Sequence, residues 1–280
     1  MFDIPPLALE RIVSVALEED LSSGDLTTEA CVDGDARAVA HARARGSIVV
    51  CGAPVFSRVF ARLDPALTVE THVAEGGRAN PGAPVWTVRG RARPILMAER
   101  TALNFVQRMC GIATTARAYV DAVPAGHKTR ITDIRKTMPG LRALDRYAVR
   151  VGGAKNHRND LGSAVLIKDN HVAACGGVRA AIERARAAAP HTTKIECEVD
   201  SLEQLDEALA AGADIVLLDN MTTPTIVEAV ARTGGRALLE ASGGVTLARV
   251  PELARAGVDF ISVGALTHSV AAADVGLDFE

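Results

Sequence analysis

Residues 194–220 read KIECEVDSLEQLDEALAAGADIVLLDN and set out the architecture of most of the chain. Two short runs rich in Ile, Val and Leu, 194–199 and 214–219, enclose a segment rich in Ala and Leu. Ser201 stands at the N-cap position of a helix, and Gly212 suits its end. A strand, a helix and a strand of these lengths predict a βα unit whose strands are parallel and covered by helices.

The same alternation of strand and helix extends in both directions from this unit. It begins near residue 127, and the later strand candidates follow one another at intervals of roughly 20 to 25 residues. The candidates are RITDIR (130–135), SAVLIK (163–168), KIECEV (194–199), DIVLLD (214–219), ALLEAS (237–242) and FISVGA (260–265). Six or more such units predict a parallel α/β barrel of the TIM kind, complete or incomplete.

The first hundred residues have a different pattern. Segments such as LTVETHVAEGG and APVWTVRGRA alternate by twos and are separated by Gly-Gly and Asn-Pro-Gly turns, which is typical of antiparallel strands. We therefore predict a small N-terminal α+β domain with an antiparallel sheet, followed by the barrel. The predicted division is 1–110 for the N-terminal domain with its connecting helix, 111–270 for the barrel, and 271–280 for a tail that is a candidate to return to the N-terminal domain.

A helix of about 28 residues, beginning near Pro94, is predicted to join the two domains. Beside its apolar face runs a polar stripe of Arg100, Asn104, Gln107 and Gly111. Spacings of three and four residues place these positions on one side of the helix. The stripe has two interpretations, a solvated flank or a surface that faces a site or a subunit interface.

Composition limits the class of protein. The chain has 280 residues, of which 48% are hydrophobic, and a net charge of −3, whereas a general nucleic-acid surface requires an excess of Lys and Arg. The N-terminal sequence does not resemble a signal peptide, and no run of about 18 apolar residues follows. We predict a cytoplasmic protein that binds neither nucleic acid nor membranes. Its five cysteines lack a CxxC pair, which indicates buried apolar positions rather than disulfides or a zinc site.

Positive charge is concentrated between Asp133 and His171. This segment holds eight Lys or Arg against four Asp, although the whole chain is mildly acidic. It includes Arg135 and Lys136 in the sequence DIRKT and an Asn-His-Arg triplet at 156–158. The local excess suits a small anion, and Arg in particular matches a carboxylate with two parallel hydrogen bonds.

Residues at the carboxyl ends of parallel barrel strands face one common site. Cations, then carboxylates, then small residues stand at these positions: Arg135, Lys136, Lys168, Glu198, Asp219, Ser242, Gly243, Gly244 and Gly264. Glycine-rich ends after the last two strands are typical of phosphate binding through backbone N–H groups. Glu198 and Asp219 are candidates to bind Mg²⁺ or sugar hydroxyls. The residues alone indicate a phosphorylated sugar, a metal ion and a carboxylate-bearing partner.

Longer motifs point to a family. ERTALNFVQRMCGIAT, DIRKTMPGLR, YAVRVGGAKNHRNDL, LIKDNH, ECEVDSLEQL, IVLLDNM, EASGGV and VGALTHS resemble, in this order, the motifs of the quinolinate phosphoribosyltransferases, also called nicotinate-nucleotide pyrophosphorylases. The resemblance implies that quinolinate and phosphoribosyl pyrophosphate react, with Mg²⁺, to give nicotinate mononucleotide, pyrophosphate and carbon dioxide on the way to NAD. It also implies a homodimer, or a higher oligomer, with active sites shared between subunits.

The resemblance implies roles for particular residues as well. The residues expected at quinolinate are Arg100 from the neighbouring subunit, Ile134, Arg135, Lys136, His157 and Arg158. Lys168 is expected between quinolinate and the pyrophosphate, and Glu198 and Asp219 at the ribose and the metal ion. The residues expected at the 5′-phosphate are Ser242, Gly243, Gly244, Val263, Gly264 and Ala265. The catalytic residues implied in this way are Lys136, Lys168, Glu198 and Asp219.

Two positions depart from the pattern of the family, which usually has Thr where this chain has Ile134 and Met138. Loss of the hydroxyl at position 134 removes a side-chain contact and leaves a backbone contact available. Not all the cations need bind substrate, because Arg142, Arg146 and Arg150 recur every four residues. That spacing favours one solvated helix face.

Charge suggests how such a reaction would proceed. An oxocarbenium-like state at C1 of the ribose would be stabilised by Glu198 and Asp219, while Mg²⁺ and Lys168 neutralise the departing pyrophosphate. Three other interpretations stay open. A phosphoribosyltransferase for another acceptor would keep the carboxylates and glycines but alter the cations, and a Schiff-base lyase would use Lys168 as a neutral nucleophile. A binding protein without activity would not need the paired carboxylates.

Overall fold

The computed structural model describes residues 3–280, which form two compact units. The strands are β1 (Arg37–Ala44), β2 (Ile48–Val49), β3 (Thr68–Thr71), β4 (Arg78–Ala79), β5 (Pro84–Arg91), β6 (Arg130–Thr132), β7 (Val165–Ile167), β8 (Ile195–Val199), β9 (Ile215–Asp219), β10 (Leu238–Ser242), β11 (Phe260–Ser262) and β12 (Val275–Phe279). The α-helices are α1 (Pro6–Leu21), α2 (Leu26–Cys31), α3 (Ala53–Leu63), α4 (Ala92–Asp121), α5 (Arg142–Val151), α6 (Asp169–Cys175), α7 (Val178–Ala188), α8 (Leu202–Ala210), α9 (Thr223–Thr233), α10 (Val250–Ala256) and α11 (Ala265–His268). A 3₁₀ turn, Leu247–Arg249, precedes α10.

The first unit comprises residues up to 117 together with Thr137–Gly153 and Leu266–Glu280. Its main sheet is antiparallel, with the strand order β12-β1-β5-β3. The central strand β5 carries Trp86, which is fully buried and stacks on Phe56 of α3 with 4.8 Å between the ring centroids. The antiparallel N-terminal sheet predicted from the alternating segments is confirmed. The C-terminal tail supplies β12, while the domain boundaries near residues 110 and 270 stay predictions.

The second unit, residues 118–136 and 154–265, contains a parallel sheet with the order β6-β11-β10-β9-β8-β7. All six strands predicted from the sequence are present, and the α/β barrel-like fold is confirmed in a six-stranded form. Lys155 adds one parallel bridge to Thr132, beside β6. Because the strands are parallel and adjacent, their carboxyl ends lie along the same edge of the sheet.

Strand β8 shows how the sequence produces a sheet that is covered on both faces. Its apolar residues Ile195, Cys197 and Val199 are buried, and α7 and α8 pack against the strand. Glu196 and Glu198 alternate with them and therefore lie on the opposite face. The burial of Glu196 on this second face, with 4% of its surface exposed, requires polar partners inside the barrel.

The predicted connecting helix is confirmed as α4, which has 30 residues. Two members of its polar stripe, Gln107 and Gly111, contact the C-terminal segment within the first unit. The side-chain amide of Gln107 donates to the Val275 carbonyl at 2.8 Å, and the backbone N–H of Ala273 donates to the Gln107 carbonyl at 2.8 Å. Asn104 and Arg100 are exposed. The stripe is therefore neither wholly a solvated flank nor wholly a binding surface, because half of it anchors the returning chain end.

The cysteines only partly match the expectation of buried apolar positions. All five are free thiols, and Cys51, Cys110 and Cys197 are buried. Cys31 is exposed because it ends the short helix α2, and Cys175 is half-buried. None of the helices formed by residues 3–280 combines the length and the apolar character needed to cross a bilayer.

Gly111 allows the close approach of α4 to the C-terminal segment. A Cβ atom at this position would lie 2.2 Å from the Ala271 carbonyl oxygen. We expect Gly111→Ala to destabilise the fold by about 1–3 kcal/mol through overpacking, although Ala is favoured over Gly within helices by about 1 kcal/mol. Thermal unfolding measures the change. Gly46→Ala, where a Cβ would meet nothing within 4 Å, is the matched control, and equal melting temperatures for the two variants would contradict the close approach.

Candidate active site

The edge of the parallel sheet brings together the side chains that follow β7, β8, β9 and β10. Lys168 directly follows β7, Glu198 lies in β8, Asp219 ends β9 and Ser242 ends β10. Nζ of Lys168 donates to Oε2 of Glu198 at 2.6 Å. The ion pair joins two residues that are 30 positions apart in the sequence. The expectation that these strand ends share one edge is met by the strand order of the sheet.

The carboxylate of Asp219 is oriented by its neighbour Asn220. The side-chain amide of Asn220 donates to Oδ2 of Asp219 at 2.6 Å. Asn220 has a φ of 53°, a conformation that few residues other than Gly adopt, and its backbone N–H donates to the Ser242 carbonyl at 3.0 Å. This turn couples the end of β9 to the end of β10.

Gly243 fits against the same turn in a way that no other residue would. A Cβ atom on Gly243 would lie 2.1 Å from Oδ1 and 2.8 Å from the backbone N of Asn220, and the φ of Gly243 is +91°. At Gly244, by contrast, a Cβ would meet nothing within 4 Å. Arg249 donates to the carbonyls of Gly243 and Met221, at 3.5 and 2.5 Å. The result is a fixed loop with open space beside Gly244, as a phosphate-binding turn requires.

The second glycine-containing end has a different character. The backbone N–H of Val263 donates to the Thr132 carbonyl at 3.0 Å, so this amide is used by the sheet and is not available to a phosphate. Gly264 follows it, and Ala265 begins the four-residue helix α11. The expected 5′-phosphate contacts of these three residues stay predictions.

Two arginines of the cationic segment lie close to each other and are partly removed from water. Nε of Arg135 is buried and has no hydrogen-bond partner among the groups of residues 3–280. Burial lowers the pKa of Arg158, and the positive charge of Arg135 lowers it further. Nη1 of Arg158 donates to the Ala164 carbonyl at 3.2 Å. Two guanidinium groups in mutual repulsion, one with an unused buried donor, form a site for an anion.

The Asn-His-Arg triplet is held by carboxylates inside the barrel. Asp133, which is fully buried, accepts from the side-chain amide of Asn156 and from the backbone N–H of His157, both at 2.7 Å. Nε2 of His157 lies 3.2 Å from Oε2 of Glu196 and 3.7 Å from Oε1 of Glu240. Burial alone would lower the pKa of His157, but the hydrogen bond to Glu196 and the charge of Glu240 raise it.

Glu240 is the least satisfied of these carboxylates. Its Oε1 atom is buried and has no hydrogen-bond partner within the described residues. Burial, followed by the charge of Glu196, raises the pKa of Glu240 to about 7. His157, Glu196 and Glu240 offer ligand atoms that lie within 4.8 Å of one another, so their arrangement is also compatible with a bound cation.

Sequence reasoning missed Asp133, Glu196 and Glu240 as parts of the site. The alternation of the strands contained a signal for two of them. Glu196 is two residues before Glu198 in β8, and Glu240 is two residues before Ser242 in β10, so each points to the same face of its strand as a predicted site residue. The strand patterns of KIECEV and ALLEAS predict the strands that contain Glu196 and Glu240, but not the partners of these acids.

The remaining predicted residues differ in their exposure. Arg100 is exposed on α4 in the first unit, and Lys136 is exposed beside Arg135. Ile134 is half-buried, while Met138 is exposed and its backbone N–H donates to Oδ2 of Asp145 at 3.0 Å.

Arg142, Arg146 and Arg150 lie on the less buried face of α5, as their spacing predicts, but each is only partly exposed. Arg142 donates to Thr137 at 2.9 Å, and Arg150 lies over the ring of Tyr147 at 5.9 Å.

Comparisons with known proteins agree along the whole chain. The family model described as quinolinate phosphoribosyl transferase, C-terminal domain, matches residues 112–278, and that of the N-terminal domain matches residues 25–110. The chain is 48% identical to the nicotinate-nucleotide pyrophosphorylase (carboxylating) of Mycobacterium leprae, with 94% of each chain covered. It is 39% identical to a probable enzyme of the same name from Bacillus subtilis, with 97% of this chain and 93% of the relative covered. The crystal structure of NadC from Streptococcus pyogenes matches with a TM-score of 0.95 at 38% identity, over 100% of both chains.

Proposed function

Because the chain belongs to the quinolinate phosphoribosyltransferase family, we infer that it converts quinolinate and phosphoribosyl pyrophosphate to nicotinate mononucleotide, pyrophosphate and carbon dioxide. The reaction is a step of de novo NAD biosynthesis. Within the structure, the observation that carries this function is the buried, unused Nε donor of Arg135 beside Arg158. Paired guanidinium groups suit a pyridine dicarboxylate, because each presents a planar fork to one carboxylate.

The opposite part of the site suits the phosphoribosyl donor. Glu198 and Asp219 stand at the carboxyl ends of neighbouring strands, where their negative charge would stabilise the oxocarbenium-like state at C1 of the ribose. Lys168 would neutralise charge on the departing pyrophosphate. The turn at Gly243 and Gly244, with Ser242, would bind the 5′-phosphate through backbone groups. Contacts of Lys136 with quinolinate, and of Gly264 and Ala265 with the phosphate, remain part of the proposal. Because the N–H of Val263 donates to Thr132, Val263 would contribute only van der Waals contact.

The carboxylates of Glu198 and Asp219 fit a magnesium ion. Each is a hard oxygen donor at the same sheet edge, and each is only partly engaged, by Lys168 and Asn220 respectively. Glu198 and Asp219 would hold the ion together with substrate oxygens. When bound, Mg²⁺ would supply positive charge for the pyrophosphate.

Decarboxylation follows from the charge of the intermediate. Once the pyridine nitrogen carries ribose it is cationic, so loss of the adjacent carboxylate as carbon dioxide leaves a stabilised ylide, which takes up a proton to give nicotinate mononucleotide. The protein has mainly to hold the ring and its two carboxylates in place. Ile134 supplies no hydroxyl for this, so a contact at position 134 would be made by its backbone.

The Lys168–Glu198 ion pair favours this function over a Schiff-base lyase. A lysine that attacks a carbonyl must be neutral, and a carboxylate at 2.6 Å stabilises the charged ammonium instead. In our proposal Lys168 therefore acts through its positive charge and not as a nucleophile.

We also propose a cytoplasmic location.

The proposed reaction has a direct test in steady-state turnover. The purified protein should release carbon dioxide from quinolinate only when phosphoribosyl pyrophosphate and Mg²⁺ are both present, because ribosylation must precede decarboxylation. Release is measured with carboxyl-labelled quinolinate, and nicotinate is the control acceptor because it lacks the 2-carboxylate. Equal rates of pyrophosphate formation with nicotinate would contradict the proposal.

We further propose a homodimer, or a higher oligomer, in which Arg100 binds quinolinate in the neighbouring subunit. Arg100 is exposed on α4. Its substitution by Ala would remove a charge-assisted hydrogen bond to a carboxylate, worth on the order of 1.5–3 kcal/mol. Binding of quinolinate should weaken while the fold stays intact.

Subunit mixing tests this arrangement. Arg100→Ala chains mixed with Arg135→Ala/Arg158→Ala chains give heterodimers with one complete site and one that lacks all three arginines. Random pairing should restore about a quarter of the wild-type activity, since one half of the dimers would be mixed and each would have one intact site. If mixed dimers form and remain inactive, Arg100 does not act in the neighbouring subunit.

A further inference from the structure

The triplet Asn156–Arg158 is connected to the barrel interior by an unbroken series of polar contacts. Asp133 holds the Asn156 side chain and the His157 backbone. Nε2 of His157 faces Glu196. The backbone N–H of Arg158 donates to Nδ1 of His157 at 2.7 Å. The series ends at a residue whose guanidinium group is proposed to bind a substrate carboxylate.

The contact between Arg158 and His157 fixes the tautomer of the imidazole. Nδ1 needs a free lone pair to accept the Arg158 amide, so the proton of the neutral ring lies on Nε2. Burial lowers the pKa of His157, but the hydrogen bond to Glu196 and the charge of the nearby carboxylates raise it. The carboxylates therefore favour a second proton on the ring. The amide opposes that second proton, because a protonated Nδ1 would face another N–H group at 2.7 Å. A singly protonated ring, with its proton on Nε2, therefore fits this contact.

Both ring nitrogens of His157 are thus engaged within the protein. Nδ1 accepts from Arg158, and Nε2 donates towards Glu196, with Glu240 beyond it at 3.7 Å. In this arrangement both ring nitrogens have partners within the protein, so the expected contact of His157 with quinolinate would replace one of these bonds and stays a prediction. A metal ion in the cluster would need the lone pair of Nε2, which the proton occupies. The imidazole is suited to transmit the position of Glu196 to Arg158.

Glu240 completes the group from β10. Its side chain is 5% exposed, and burial followed by the charge of Glu196 raises its pKa to about 7. The Oε2 atom of Glu196, at 3.2 Å, is the nearer acceptor for Nε2 of His157, and Oε1 of Glu240 lies farther away at 3.7 Å. The imidazole of His157 therefore lies near carboxyl groups from two strands, Glu196 of β8 and Glu240 of β10.

We propose that Glu196 and Glu240 are positioning residues for the quinolinate site, which act through His157 to fix the backbone and the guanidinium group of Arg158. The inference rests on the proposed function and deepens it, since it assigns the residues that orient a substrate-binding arginine. If the carboxylate of Glu196 is removed, Nε2 loses its nearer acceptor, and Glu240 at 3.7 Å is too far away to form a hydrogen bond in its place, so the ring is free to turn. Nδ1 then releases the Arg158 amide, and the site for one carboxylate loses its geometry.

The test compares the KM for each substrate in folded variants. Glu196→Leu removes the acceptor, Glu196→Gln keeps an oxygen for Nε2, and Glu203→Gln on the exposed surface of α8 is the control for loss of a charge. Glu240→Gln keeps a neutral, hydrogen-bonding side chain in the place of the protonated acid. Circular dichroism and thermal unfolding confirm the folded state of each variant before kinetics.

We expect Glu196→Leu to raise the KM for quinolinate about tenfold or more, with the KM for phosphoribosyl pyrophosphate changed less than twofold. Glu196→Gln and Glu240→Gln should stay within about threefold of the wild type for both substrates, and Glu203→Gln should be unchanged. The unchanged second KM shows that Glu198, two residues along the same strand, is undisturbed. Calorimetric titration with quinolinate gives the same comparison if Glu196→Leu turns over too slowly.

A folded Glu196→Leu protein with the wild-type KM for quinolinate would overturn the inference and leave the proposed function intact. Equal loss of both substrates would also overturn it, because that result indicates general disruption. Rescue by Glu196→Gln separates positioning from packing, since Gln and Leu are similar in size. A wild-type protein that neither binds nor converts quinolinate would overturn the proposed function, and this inference with it.

Discussion

Two guanidinium groups, those of Arg135 and Arg158, share one partly buried site and repel each other. This arrangement is stable only if negative charge offsets it. In the folded protein the charges of Glu196 and Asp160 favour the cationic form of Arg158, and Glu196 is almost fully buried in the barrel interior. During the reaction further negative charge would come from the two carboxylates of quinolinate. The cations of the site are thus balanced by carboxylates of the protein at all times and by the carboxylates of the substrate during the reaction.

The parallel sheet makes this balance of charge possible. Side chains alternate along each strand, so Glu198 reaches the sheet edge while Glu196, two residues earlier, stays inside the barrel. Adjacent strands repeat the pattern, with Asp219 and Ser242 at the edge and Glu240 inside. Inward-facing side chains at the strand ends are thus placed for catalysis, and inward-facing side chains two residues earlier support them from the barrel interior. The same alternation leaves the other face of each strand apolar, for the helices that cover the sheet.

Much of the fold followed from sequence patterns, because each strand and helix of the second unit has its own local signal. Lys168, Glu198, Asp219 and Gly243 could be placed together because strand order alone brings their positions to one edge. The roles of Glu196 and Glu240 could not be foreseen, since a buried acid in a short strand looks the same whether it contacts a cation, a histidine or another acid. Gln107 and Gly111 were ambiguous for a similar reason, because their partners, in the C-terminal segment, lie 160 or more residues away.

The imidazole of His157 joins the buried carboxylates to Arg158, and the protonation of its two ring nitrogens tests this link. Long-range ¹H–¹⁵N correlation spectra of the ¹⁵N-labelled protein at neutral pH, assigned with a His157→Gln variant, measure both nitrogens. We expect one proton, on Nε2, and a pyridine-like Nδ1 that accepts a hydrogen bond, with no change when quinolinate binds. A ring with protons on both nitrogens, or with its proton on Nδ1, would rule out the link, because neither form can accept the Arg158 amide.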